Sequence, residues 1–288
     1  MTTTGTLPRT SIRFARIGVS WKTWLTVAVL IVVSFFVLLP FIWMLSASLR
    51  TEGDLTGHPS SLWPSHFTLQ NYVQIWTQIP FARQFLNSVA YAGAVTVVSV
   101  LIDSLAGYAF ARYSFPFKNA LFIAVLVTLM LPIQVTFIPV YNLLVHLDWV
   151  NSLQGLIVPR IADAFGIFFM RQFFLGLPKD IEEAARIDGA SELRIFSRVM
   201  LPLATSAVLT IGMFNLLANW NDLLWPLMVT TDPTMETLPA GLALFKGQHV
   251  SNYGLLMAGS VLSLLPMLIA FFFLQRRFVE GIATTGLK

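Results

Sequence analysis

Ten charged side chains are gathered between Arg171 and Met200, namely Arg171, Lys179, Asp180, Glu182, Glu183, Arg186, Asp188, Glu192, Arg194 and Arg198. In a chain with only 11% charged residues, this is the first place to look for chemistry or for a charged partner. The spacings that would make it catalytic are missing. No G-x-x-x-x-G-K-[ST] loop surrounds Lys22, Lys118, Lys179, Lys246 or Lys288, so no run of backbone amides is set to cradle a nucleotide phosphate. Neither an H-E-x-x-H helix nor a G-x-S-x-G elbow occurs. The four histidines, His58, His66, His146 and His249, lack metal-ligand spacing, and with no cysteine there is neither a disulfide nor a thiolate site. No metal site is expected.

A second set of chemically capable residues sits in apolar surroundings, where an ionisable group is costly and faces a cavity or a partner. Arg160 and Asp163 are three apart, the spacing of one helical face, and are expected to pair with each other. Asp103, an isolated carboxylate, suits pairing with another helix better than a proton relay. Asn219, Trp220, Asn221 and Asp222 combine amide, indole and carboxylate groups. That mixture suits a sugar, with polar groups for its hydroxyls and an aromatic face for its C–H surface. It serves equally as polar glue between helices, and the sequence leaves both roles open.

The elements that must position these residues are set by composition. Hydrophobic residues make up 56% of the 288, against about 45–50% in a soluble domain, so the chain requires lipid as solvent. The run 24–45 is uncharged and too long for a signal peptide, and reads as a first transmembrane helix. Further spans are expected near Phe85–Phe110, Ala120–Val145, Gly155–Met170, Leu201–Val229 and Gly254–Leu274, with Pro132, Pro139, Pro226 and Pro266 as kinks. Lipid cannot satisfy free backbone groups, and the alternation of a barrel is absent, so the class is an all-α integral membrane protein with six transmembrane helices.

Orientation follows from the cations. With the N-terminus in the cytoplasm, 14 of the 18 Lys and Arg residues fall on the inner side and only Arg50, Arg83, Arg160 and Lys246 on the outer side. Both termini are then cytoplasmic. The expected organisation is a tail over 1–23, the first helix over 24–45, an external loop over 46–84 with an aromatic edge at Trp63 and Trp76, a core over 85–275 containing the loop 177–202, and a tail over 276–288. The net charge of +4 is accounted for by this asymmetry rather than by nucleic acid.

Within 177–202, Pro178 followed by Asp180, Glu182 and Glu183 predicts a helix start, since proline fits the first turn and carboxylates complement its free amides. Asp188-Gly189 predicts its end, and Ser191 is expected to cap a second helix running towards Leu201-Pro202. Ile181, Ala184, Ala185 and Asp188 would share a small, mildly apolar face that another surface could approach closely. The plainer alternative is an amphipathic loop lying on lipid headgroups.

The pattern Glu183-Ala184-Ala185, three residues, Gly189, nine residues, Val199-Met200-Leu201-Pro202 resembles the EAA signature of bacterial ATP-binding-cassette importer permeases, with Val199 where isoleucine is usual. Asn71-Tyr72, Asn87-Ser88, Tyr108-Ala109-Phe110-Ala111-Arg112, Leu131-Pro132, Trp220-Asn221-Asp222, Trp225-Pro226, Gln275-Arg276 and Gly281 resemble the carbohydrate-uptake members. The tail Gly286-Leu287-Lys288 departs slightly from theirs. The resemblance implies a type I importer permease fold in a bacterial inner membrane, and a coupling helix formed by Glu182, Glu183, Ala184, Ala185, Asp188 and Gly189 with Leu201 and Pro202. It implies as partners a homologous second permease, two cytoplasmic ATPase domains that bind the ATP and magnesium, an external solute-binding protein and membrane lipid. No cofactor and no enzymatic activity are expected of this chain. An ion-coupled secondary transporter, the competing class, would show repeated intramembrane carboxylates and inverted repeats, which are not seen. A membrane scaffold would leave the Glu183–Pro202 spacing without a reason.

Overall fold

A computed structural model of the protein describes residues 21–248 and 252–285. The N-terminal tail up to residue 20, His249 and the tail residues Gly286, Leu287 and Lys288 lie outside them. The chain divides into two compact units, Met1–Trp43 and Met44–Lys288. In the first, the described residues belong to α1 (Trp21–Ser48), an apolar helix of 28 residues, about 42 Å and thus enough to cross a bilayer.

The second unit is organised around α4 (Phe81–Arg112). Its buried positions, Phe81, Gln84, Ser88, Tyr91, Val95, Ser99, Asp103 and Tyr108 among them, recur at three- and four-residue steps and give it one continuous inward stripe. That stripe is half polar. The helix packs on α8 (Ala164–Leu175) and α12 (Thr205–Trp220), and α12 packs in turn on α15 (Tyr253–Thr285).

Three helices, α1, α4 and α15, are long and apolar enough to cross a membrane by themselves. With each of three bent pairs counted as one span, the total reaches six. Lys118–Thr128 (α5) and Ile133–His146 (α6) meet at 99°, with Pro132 at the junction. Leu153–Arg160, which includes α7 (Leu153–Ile157), meets α8 at 40°, and Glu192–Leu203 meets α12 at 79°. The expected span Ala120–Val145 is therefore broken at the proline expected to kink it, and Gly155–Met170 is broken as well. The expected Leu201–Val229 also ends early as a helix, because α12 stops at Trp220 and α13 (Leu224–Val229) resumes after Asn221–Leu223. Along the outward faces, Leu121, Ile123 and Val127 of α5 and Phe271 to Phe273 of α15 are exposed, as lipid-facing positions must be.

The segment between α1 and α4 folds around Arg50, whose side chain is fully buried. Its guanidinium donates to Asp54 Oδ2 at 2.7 Å and to the carbonyls of Ser61, Asp54 and His58. α2 (Glu52–Gly57) is capped by the Thr51 hydroxyl. α3 (Gln70–Gln78) buries Asn71 and Ile75 against the bundle and leaves Val73 and Trp76 outside. Trp63 and Trp76 are both exposed.

Candidate functional site

The loop 177–202 forms two short helices at an elbow. α9 (Asp180–Ile187) has Asp180, Glu182 and Glu183 in its first turn. It ends where Gly189, at φ +78°, takes the left-handed conformation, and the amides of Gly189 and Ala190 bond back to Arg186 and Ala185. Ser191 stands extended ahead of α10 (Glu192–Ile195), but its side chain makes no capping bond, contrary to expectation. The chain then widens into a π-turn over Phe196–Met200, in which the Leu201 amide reaches Phe196, before the three-residue α11 (Leu201–Leu203). Pro202 explains the widening: its ring would collide with the carbonyl four residues back, and a wider turn moves that carbonyl away.

The elbow is fixed to the end of α4 by charge. Glu182, 3% exposed, lies with Oε1 2.6 Å from Arg112 Nε and Oε2 3.4 Å from the Tyr108 hydroxyl, and Arg186 approaches Oε2 at 3.6 Å. The Arg112–Glu182 contact is short but not aligned as a hydrogen bond, so its attraction is mainly Coulombic in a site that water scarcely enters. Arg112 also donates to the Leu177 carbonyl at 2.7 Å, which anchors the start of the loop. Arg186 reaches forward across the elbow and grips Glu192 with Nε at 2.7 Å and Nη2 at 3.1 Å. Tyr113 donates to the same carboxylate at 2.7 Å. Beneath these polar ties, Tyr108, Phe174, Ile195, Phe196, Met200 and Ala204 form one apolar cluster shared by α4, α8 and the loop.

Of the residues read from sequence as one face, Ala184 and Asp188 are exposed, whereas Ala185 is half-buried and packs against this cluster. The surface left outward is Glu183, Ala184, Asp188 and Gly189 with two large apolar residues that the sequence reading did not assign, Ile187 at 87% and Leu193 at 71% exposure. Leu201 packs against the cluster and Pro202 is exposed. Arg112 and Tyr108 were legible only as part of a motif. Their tie to Glu182 spans about seventy residues of chain, and no local spacing encodes it.

The second candidate set is drawn into the bundle. Trp220, 4% exposed, donates its indole N–H to the Ser263 carbonyl at 3.1 Å and meets Phe85 edge-on at 5.9 Å. Asn219, 5% exposed, donates to the Asn215 carbonyl. The Tyr91 hydroxyl lies 3.0 Å from Asp222 Oδ2 and 3.2 Å from Asn219 Oδ1, sharing its one proton between them. Asn221 is exposed in the break after α12.

Asp222 is also the partner of Arg160, at 3.2 Å, so the expected Arg160–Asp163 pair is not formed. Asp163 instead caps α8, accepting from the Phe165 amide. Its own amide donates to Asp103 Oδ1 at 3.0 Å, and Ser99 donates to Oδ2 at 2.9 Å. Asp103 thus does meet another helix, through backbone rather than through a cation. Among the described residues no three His, Asp or Glu side chains converge as metal ligands would.

Comparison with known proteins places these features in a family. The family model for the binding-protein-dependent transport system inner membrane component matches residues 103–284. The chain is 37% identical over 269 residues to an arabinooligosaccharides transport system permease protein of Halalkalibacterium halodurans, covering 92% of this chain and 96% of that one. It is 33% identical to a diacetylchitobiose uptake system permease protein of Streptomyces coelicolor, covering 89% of this chain and 86% of that protein. In fold it resembles a chain of the crystal structure of a bacterial ABC transporter involved in the import of the acidic polysaccharide alginate, with a TM-score of 0.77 over 88% of this chain and 95% of that one, at 21% identity.

Proposed function

We propose that this chain, which belongs to the family of binding-protein-dependent transport system inner membrane components, is the permease subunit of an ATP-driven importer and forms half of the pathway for a sugar or sugar-like solute. The solute class is inferred from the relatives, whose names specify oligosaccharide uptake. The chain carries no phosphate loop of its own, so ATP and magnesium belong to two ATPase domains in the cytoplasm. A homologous permease supplies the other half of the pathway, and an external binding protein delivers the solute. The distribution of cations supports a bacterial cell membrane orientation with both termini in the cytoplasm.

The observation that carries this reading is the elbow 177–202. Glu182, Ile195, Phe196 and Met200 bind it rigidly to α4 and α8, while Glu183, Ala184, Ile187, Asp188 and Leu193 face outward. A mere connector would have no reason to expose Ile187 and Leu193 on a framework fixed by buried charge. A motor subunit docked on that surface would move the spans with it.

The test is reconstitution of the full complex in liposomes. Ile187→Asp and Leu193→Asp should abolish co-purification of the ATPase and solute-stimulated ATP hydrolysis, with insertion unaltered because both side chains are exposed. Full stimulation in both variants would reduce the loop to a solvated connector. Sugar accumulation by the purified chain without any ATPase would overturn the importer reading as a whole.

A further inference from the structure

At the Arg112 end of α4 three cations have no counter-charge. Arg112 and Arg186 are matched by Glu182 and Glu192, but Lys118, Arg171 and Lys179 form no ion pair among the described residues. Lys118 Nζ donates to the Tyr113 carbonyl at 2.7 Å, which leaves ammonium protons to spare. Arg171 donates to the Phe110 carbonyl at 3.3 Å, and its guanidinium lies 4.1 Å from the centre of the Phe122 ring. Phe122 and Lys118 stand one turn apart on α5, so Arg171 is set beside Lys118. Lys179 stands two residues after Leu177, whose carbonyl is bound by Arg112, and so lies at the same end of α4. A cluster of this kind favours an anion.

The surroundings say which one. Ser114, Phe115, Phe117, Lys118, Asn119 and Ala120 line an open hollow of about 360 Å³. Phe117 is held at φ +61°, a conformation rare for a residue with a side chain, and is 80% exposed. One turn further along α5 the outward residues are Leu121 and Ile123, both exposed and apolar. The cations therefore stand at the depth where the apolar surface of a span gives way to charge, beside an aromatic ring projecting from the same turn. An anion held there has an apolar neighbour, which describes a lipid and not a soluble acidic partner.

We propose that the turn Ser114–Lys118, with Arg171 and Lys179, holds the phosphate of an anionic phospholipid headgroup, and that Phe117 packs beside it at the edge of the acyl region.

The experiment uses the full-length chain in its complex, purified in mild detergent and offered phosphatidylglycerol or phosphatidylcholine of the same acyl chains, with bound lipid counted by native mass spectrometry. Wild type should prefer phosphatidylglycerol. That preference should fall roughly fivefold with each of Lys118→Gln and Lys179→Gln, and survive Lys118→Arg. In wild type, where folding is not in question, it should collapse at about 1 M salt, where the Debye length is about 3 Å. Equal retention of the two lipids by wild type, or an unchanged preference in the Lys118→Gln/Lys179→Gln double variant, overturns the proposal. Inorganic phosphate binding the delipidated complex as tightly as phosphatidylglycerol would make this a free-phosphate site instead. Loss of the ATPase from the variants with the lipid preference intact would make it a subunit contact.

Discussion

Arg112 Nε and Glu182 Oε1 stand 2.6 Å apart with side chains only 3% and 4% exposed, so the last turn of a membrane helix and the first turn of the elbow share one buried ion pair. Two desolvated charges repay their burial only while both are present. Movement of α9 is thereby tied to movement of α4.

Arg112→Ala should strand Glu182 and destabilise the chain by about 3–5 kcal/mol, as loss of one partner of a buried pair does. The double replacement Arg112→Met with Glu182→Met removes both charges and should recover most of that loss. Thermal unfolding of the purified complex measures the cycle. Recovered stability with poor solute-stimulated ATP hydrolysis would assign the pair to coupling, whereas equal damage in single and double variants would refute the account of stranded charge.

Gly189 has open space around the position of a Cβ, so a side chain there meets no steric obstacle, only the φ of +78°. Gly189→Val should cost about 1–3 kcal/mol in local backbone strain and misdirect α10, lowering stimulated ATP hydrolysis. Gly189→Asn, which tolerates the left-handed region, should keep most of the activity. Equal activities in the two variants would rule out the conformational explanation.

At Gly166 the constraint is the opposite one. A Cβ there would overlap the Asp103 carboxylate, which accepts from Asp163 at the start of α8. Gly166→Ala should therefore destabilise by about 1–3 kcal/mol through overpacking. Asp103→Ser alone disturbs the two buried hydrogen bonds from Asp163 and Ser99, but it makes room, so the double variant should lose less than the sum of the two singles. Strict additivity in thermal unfolding would contradict the contact.

Outside the spans, the Arg50 guanidinium bonded to Asp54, with help from Ser65, holds that carboxyl far below the usual carboxylate range. A depressed carboxyl contributes stability above its ordinary value of 3.8 and loses it as the pH falls below that. The segment around α2 should therefore stay resistant to proteolysis down to about pH 4 and open only in stronger acid, when Asp54 protonates. Asp54→Asn should be cut readily at neutral pH. Equal resistance of the two proteins across that range would show that Arg50 is held by carbonyls alone.

Much of this was legible in the sequence, because the signals are local. Long uncharged runs need lipid and need helices, whatever they pack against. Three acids in its first turn mark the start of α9, with Pro178 outside the helix just ahead of the Lys179 cap, and Gly189 ends it in the left-handed conformation it favours. Asn219 to Asp222 show the limit. Their types suited a sugar and helix packing equally, and only the bundle decides that Trp220 meets Ser263 and that Asp222 meets Arg160.

The expectation for Arg160 and Asp163 failed for a specific reason. A spacing of three brings side chains together only where the backbone between them is helical, and here the chain leaves the helix after Arg160, letting Asp163 cap the next one. Likewise Pro132 marks where α5 and α6 part, but the 99° between them is not written in the residues on either side. The sequence by itself determined which segments cross, where the elbow lies and which residues begin and end its first helix. The tertiary structure alone decided that Glu182 faces inward to Arg112 while Glu183 and Ile187 face out, because a buried charge takes whichever counter-charge the packing of distant helices leaves within reach.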